Sequence, residues 1–195
     1  MKKIMVLAVA VLVVVCMAVP AFAASKIGAG TSELNVFGNL GSSENKMNGQ
    51  KVSTDVSTNV SVGYGYFVTD LIQVGVSLQE FLTETKPEGG STSKSGVTYV
   101  QLDGKFHFYS KGATVVPYVG ASVGQATMTS SSGGSSSNAS GTMVTGRAGV
   151  KMFVSENTSV NLELNIAQYE TKVSGSDFKM KTNTVTGQVG LSTYF

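Results

Sequence analysis

The chain has 195 residues, 14 of them Lys or Arg and 12 Asp or Glu, with 42% apolar side chains, 23 glycines, no tryptophan and one cysteine. At 13% charged residues it lacks the low-hydrophobicity, high-charge signature of a disordered chain, and its near balance of charge excludes the basic footprint of a nucleic-acid binder. One thiol excludes a disulfide scaffold and a multi-cysteine zinc site.

Residues 1–23 open with Lys2 and Lys3, continue in an apolar run from Ile4 to Val19, and close on Ala21, Phe22 and Ala23. Such a run, too short and wrongly flanked for a spanning helix, is expected to be a signal peptide cleaved after Ala23. Cys16 follows Val15, where a lipoprotein site prefers a small residue, so it is expected to leave with the leader. Residues 24–195 then form one domain with twelve basic and twelve acidic side chains and no thiol. No later apolar stretch could cross a bilayer as a helix, so any membrane residence must use strands.

Alternation with period two recurs eight times, which is the pattern of a strand with two unlike faces. The first strand, 32–40, sets Leu34, Val36, Gly38 and Leu40 against Glu33, Asn35, Phe37 and Asn39. The second, 52–66, opposes Val56, Thr58, Val60, Val62, Tyr64 and Tyr66 to Asp55, Ser57, Asn59, Ser61 and Gly63. In the third, 71–82, Ile72, Val74, Val76 and Leu78 oppose Gln73, Gly75, Ser77 and Gln79. The fourth, 97–109, carries Val100, Leu102, Phe106 and Phe108 against Gln101, Asp103, Lys105 and His107.

The fifth, 114–128, separates Val115, Val119, Ala121 and Val123 from Tyr118, Gly120, Ser122 and Gly124, with Pro117 tolerable only near its start. The sixth, 142–154, sets Ala148, Val150 and Met152 against Arg147, Gly149 and Lys151. The seventh, 159–172, sets Val160, Leu162, Leu164 and Ile166 against Asn161, Glu163 and Asn165. The eighth, 185–195, ends on Phe195, with Val185, Gly187, Val189 and Leu191 on the less polar face.

Connections alternate short and long. Residues 67–70, 110–113 and 155–158 are tight turns, whereas 41–51, 83–96, 129–141 and 173–180 read as long polar loops, the Ser- and Gly-rich run 130–140 as a flexible tip. An all-β, eight-stranded antiparallel up-and-down transmembrane β-barrel has this form, with short periplasmic turns and long extracellular loops. A soluble barrel would turn its apolar face inward. Here Asp103, Lys105, Arg147, Lys151 and Glu163 sit mid-strand on one face while the other is almost free of charge, as a lipid-facing surface requires. Aromatics gather near the short turns: Tyr64, Tyr66, Phe67, Phe106, Phe108, Tyr109, Phe153, Tyr194 and Phe195 are expected to form an interfacial girdle.

The stretches GYGYFVTDLIQVGVSL (63–78), VVPYVGASVG (115–124) and RAGVKMFVSENTSVNLEL (147–164), with the terminal Phe195, resemble the small eight-stranded outer-membrane β-barrel family that includes OmpA-, OmpX- and OmpW-type proteins of the porin family. The resemblance implies a bacterial outer-membrane location and recognition by the barrel-assembly machinery through Val189, Leu191 and Phe195. The family's signal often has an aromatic two residues before the last; Thr193 stands there, and Tyr194 is adjacent.

The candidate site is a lumen charge network of Glu33, Asp103, Lys105, His107, Arg147, Lys151 and Glu163, with Glu163 expected between Arg147 and Lys151 of the neighbouring strand. Eight strands leave an interior that side chains can fill, which favours an ion-pair filling over a passage. His107 with Ser110, Ser77 or Ser122 is the one nucleophile–base combination to weigh, and Ser110 falls on the opposite face of the strand. No metal-ligand spacing or phosphate loop appears, so no catalytic, cofactor or metal residues are expected. The expectation is a non-enzymatic outer-membrane barrel with a structural or surface-interaction role, its partners membrane lipid, the assembly machinery and an unidentified extracellular ligand of the loops. The alternative is a narrow channel for small or hydrophobic molecules.

Overall fold

The computed structural model describes residues 27–47, 50–87, 92–108, 112–132, 135–173 and 179–195. The leader 1–23 with Cys16, and also Tyr109 and Ser110, lie outside the described residues. Eight strands follow one another: β1 (Ser32–Met47), β2 (Gln50–Phe67), β3 (Ile72–Pro87), β4 (Ser93–His107), β5 (Val115–Ser132), β6 (Ser135–Ser155), β7 (Thr158–Val173) and β8 (Lys179–Tyr194). Each pairs antiparallel with the next, and β8 returns to β1 to close the barrel. Closure runs through Glu33–Gly38 against Val189–Tyr194, with Ser32 and Phe195 exchanging backbone hydrogen bonds of 2.8 and 3.1 Å.

The long loops expected from the sequence are instead mostly strand. Pairing continues to Met47↔Gln50, Thr85↔Ser93, Ser132↔Ser135 and Lys172↔Lys179, so the run 130–140 is not a flexible tip over its described length but part of the β5–β6 hairpin. The physical reason lies in the ladder. Once a barrel wall sets the register, backbone hydrogen bonds propagate outward whatever the side chains, and the period-two signal fades because both faces are polar. The short turns hold better. Val68–Leu71 is closed by Thr69, whose Oγ1 accepts from the N–H of Ile72 at 3.0 Å, and Glu156–Asn157 joins β6 to β7. The β4–β5 connection is longer than expected, because β4 stops at His107.

Alternation sorts the side chains as expected. Leu34, Val36, Val62, Val74, Val76, Leu102, Val119, Leu164 and Leu191 point outward and are exposed; Glu33, Gln73, Gln101, Lys105, Lys151, Asn161 and Glu163 point inward and are buried. At about 3.3 Å per residue on tilted strands, the outward apolar belt from Val115 to Val123 of β5 is about 20 Å tall. It ends toward the long hairpins in a ring of polar side chains: Thr58, Glu80, Thr98, Gln125, Thr142, Gln168 and Asn183.

The aromatic girdle is only half as expected. Tyr64, Tyr66, Phe106, Phe108 and Phe195 do face outward, Phe195 70% exposed, but Phe67, Phe153 and Tyr194 turn into the barrel and are buried. Strand parity dictates this, since Phe67, Phe153 and Tyr194 are in phase with Ser61, Lys151 and Ser192. The seam between β8 and β1 depends on a missing side chain. A Cβ at Gly190 would meet Phe37 Cδ1 at 2.5 Å and the Val36 carbonyl oxygen at 2.6 Å, whereas one at Gly187 would meet nothing within 4 Å. Gly190→Val is therefore expected to lower unfolding free energy by about 1 to 3 kcal/mol, and Gly187→Val to change it by no more than about 0.5 kcal/mol. Urea unfolding in micelles, followed by circular dichroism, measures both.

Candidate functional site

The lumen is the candidate site, and it is stacked in layers. At the short-turn end Ile27, Phe67, Val116, Phe153 and Tyr194 pack into an apolar floor, flanked by Ala113. Ile27 reaches it because the chain reverses at Gly30, whose φ of 88° suits a residue without a Cβ. That segment is tied down by Gly30 N–H to the Phe67 carbonyl (2.9 Å) and Ala29 N–H to Asp70 Oδ1 (2.9 Å).

Above the floor lies the charge layer. The Glu33 carboxylate, with no exposed surface, accepts from Lys151 Nζ (2.5 Å), Gln73 Nε2 (2.6 Å) and Ser192 Oγ (2.5 Å). Glu163 pairs across the ladder with Gly149, the position between Arg147 and Lys151. Its carboxylate accepts from Tyr118 Oη at 2.8 Å and lies 3.8 Å from Arg147 Nη1 and 3.9 Å from Lys105 Nζ. Lys151 turns instead to Glu33. Arg147 Nη2 lies 2.9 Å from Asp103 and donates to Gln101 Oε1 (2.9 Å) and Ser122 Oγ (3.2 Å). Three cations thus face three carboxylates in a largely buried layer, where an unmatched charge would cost several kcal/mol.

The Tyr118 ring lies between two ammonium groups, Lys105 and Lys151, each 5.4 Å from its centroid. It fits there because the facing residue is Gly149; a Cβ at that position would sit 2.5 Å from Tyr118 Cζ. A relay of amides follows, Ser122 to Gln101 to Gln79 to Asn59, with donor–acceptor distances of 2.6, 3.2 and 3.0 Å. Toward the long hairpins, Val97, Tyr99, Ala126 and Met143 form a second apolar layer with Phe81, Met128, Ala167 and Tyr169 around it.

With that architecture in view, comparison with known proteins is decisive at the level of family. A family model described as the outer membrane protein beta-barrel domain matches residues 9–193. The chain belongs to the outer membrane protein beta-barrel domain family. Solved structures share its fold: the N-terminal β-barrel domain of Pseudomonas aeruginosa OprF (20% identity, 86% of this chain and 99% of that one, TM-score 0.57) and Neisserial surface protein A (16%, 86% and 99%, 0.57). Pseudomonas aeruginosa OprG is similar at 15% identity, over 86% of this chain and 97% of that one, with a TM-score of 0.58. No curated protein matches the sequence.

The protein is accordingly an outer-membrane β-barrel of the bacterial envelope, its apolar belt facing lipid and its short turns the periplasm. For this barrel-domain family member, all seven lumen residues named from the sequence lie on the inner face. His107 sits at the floor, its ring 4.9 Å from that of Phe67 and 5.5 Å from that of Tyr118. Ser122 pairs with Asp103, four residues from His107 along β4 and so about 13 Å away. Its hydroxyl donates to Gln101, and it is no nucleophile for that base. Leu191 and Phe195 are exposed on the lipid-facing side, and half-buried Val189 shares their parity, whereas Tyr194 faces the lumen and bonds Ser159 at 3.0 Å. Tyr194 therefore does not replace an outward aromatic at position 193.

Sequence reading missed the two apolar layers and the three partners of Glu33, namely Lys151, Gln73 and Ser192. Parity was the available signal: Val97 and Tyr99 share a phase with Gln101 and Asp103. Replacing Glu33 by Leu leaves the Lys151 ammonium buried without its carboxylate, and a loss of about 3 to 5 kcal/mol of unfolding free energy is expected. The double variant Glu33→Leu/Lys151→Met should recover most of that loss in the same urea titration.

Proposed function

We propose that this protein is a non-enzymatic outer-membrane barrel, closed to solute flow, that anchors in the envelope and displays its four extended hairpins outward. One observation carries the reading. The lumen is filled along its length, with Phe67, His107, Tyr118, Lys151 and Phe153 each less than 2% exposed and an apolar layer on either side of a neutralised charge layer. Displacing a group from that filling would strand a counter-charge. The hairpins, by contrast, extend past the polar ring that ends the apolar belt, and their paired backbones give the outer surface a defined shape. An unidentified extracellular ligand would meet that surface, and the assembly machinery would read the outward face of β8.

Purified protein in planar phospholipid bilayers should show no steady conductance at any voltage the membrane tolerates. The floor variant Ile27→Ala/Phe153→Ala should remain non-conducting, because the charge layer still blocks the path. Steady open currents from the unaltered protein, abolished by Arg147→Ala or Lys151→Ala, would establish the narrow channel instead.

A further inference from the structure

On the inner face of the wall three neighbouring positions carry no side chain: Gly63 and Gly65 on β2 and Gly75 on β3. Gly65 lies opposite Gly75 in the ladder, and Gly75 opposite Asp103 of β4. Longer side chains lean over this bare patch. A Cβ at Gly63 would lie 2.6 Å from Asn35 Oδ1, and one at Gly65 would strike the Gln73 amide. They do not fill it. A cavity of about 10 Å³ open to the centre of a water molecule remains, its lining including Asn35, Gln73, Ser77, Asp103, Lys105 and Arg147. That is room for one small molecule.

The lining has unused hydrogen-bonding capacity of both kinds. Gln73 Oε1, Ser77 Oγ, Asp103 Oδ1 and Arg147 Nε are buried, and none has a hydrogen-bond partner among the described residues. Gln73 is 2% exposed and Ser77 8%, so bulk solvent does not serve them. The Gln73 amide is oriented by its Nε2, which donates to Glu33, and this leaves its oxygen as an acceptor. Asp103 Oδ1 is 2.9 Å from Arg147 Nη2, an ion pair whose direction makes no hydrogen bond. Buried polar groups without partners are costly and rare in folded proteins. Here they are two acceptors, one donor and a hydroxyl that can act as either. A metal cation would face Arg147 and Lys105, a halide would face the Asp103 carboxylate and the Gln73 oxygen, and an apolar guest would satisfy none of the four. Water donates twice and accepts twice. We propose that this cavity binds one water molecule, which donates to Gln73 Oε1 and Asp103 Oδ1 and accepts from Arg147 Nε and Ser77 Oγ. The water joins the Gln73–Glu33–Lys151 group to the Arg147–Asp103 pair and so links two parts of the charge layer. Such a site is compatible with a closed or a conducting barrel, so its test is separate from conductance.

The test combines a crystal structure of the folded, detergent-solubilised barrel, at a resolution that shows ordered water, with urea unfolding of Ser77 variants in micelles. The unaltered protein should show one water peak within hydrogen-bond distance of Gln73 Oε1, Ser77 Oγ, Asp103 Oδ1 and Arg147 Nε. Ser77→Ala keeps the space, so the peak should persist with three partners. Ser77→Val puts a methyl group into the cavity and should expel the water. Its folding equilibrium constant should then fall about tenfold below that of Ser77→Ala, because the other three atoms lose their partner. A dry cavity predicts the opposite sign, since the added methyl would fill a void. Thr145→Val, at a buried hydroxyl outside the cavity lining, should leave the peak in place. No peak in the unaltered protein, a peak that refines as an ion, or a Ser77→Val barrel at least as stable as Ser77→Ala would overturn the proposal. Should Ser77→Val fail to fold, the peak in the unaltered and Ser77→Ala structures decides alone.

Discussion

A backbone amide inside hydrocarbon has no water to bond, so every N–H and C=O that crosses the bilayer must find its partner within the protein. Closing the sheet is the solution a strand can reach, and nearly everything else here follows from it. Closure demands that β8 meet β1, which places Phe195 opposite Ser32 and makes Gly190 a position where a side chain would strike the neighbouring strand. It also demands continuous pairing around the ring, which explains why Pro117 appears only as the third residue of β5.

Closure with eight strands sets the width of the interior, and strand pleat sends every second side chain into it. A narrow interior cannot hold bulk water around half a dozen charges. The charges must then satisfy one another, which is the physical content of Glu33 receiving three donors and of Arg147 meeting Asp103, Gln101 and Ser122. Such an arrangement stabilises mainly by avoiding a penalty, because two desolvated ions gain little over a well-packed apolar pair. Its effect on function is larger. An interior whose charges are mutually committed, lying between an aromatic floor and a tyrosine- and methionine-rich layer, supports the structural role proposed for this barrel.

The same ladder that spans the membrane continues beyond it. Above the ring from Thr58 to Asn183 the outward face turns mostly polar, with Val56 and Leu82 still apolar, yet the strands keep their register, so the outer hairpins inherit a shape from the wall below. The boundary between the two regimes is where lipid headgroups lie, and the change in side-chain chemistry there is abrupt: Leu78 is followed on the outward face of β3 by Glu80, and Val100 on β4 is flanked by Thr98.

Much of this was legible in the residues alone. The number of strands, their alternating faces, the short turns at one end and the inward placement of Asp103, Lys105, Arg147, Lys151 and Glu163 all follow from period two, a local property that each segment carries by itself. The position of Glu163 opposite Gly149 was also accessible, because a tight turn at Glu156–Asn157 leaves one register open. Tertiary structure alone decided the rest. That Lys151 bonds Glu33 and not Glu163 depends on β1 and β6 facing across the lumen, 118 residues apart in the chain. That the polar segments 41–47 and 135–141 are strands depends on a register imposed by the barrel beneath them, for which their own composition holds no signal. Local periodicity tells which way a side chain points; only the closed ring decides what it meets.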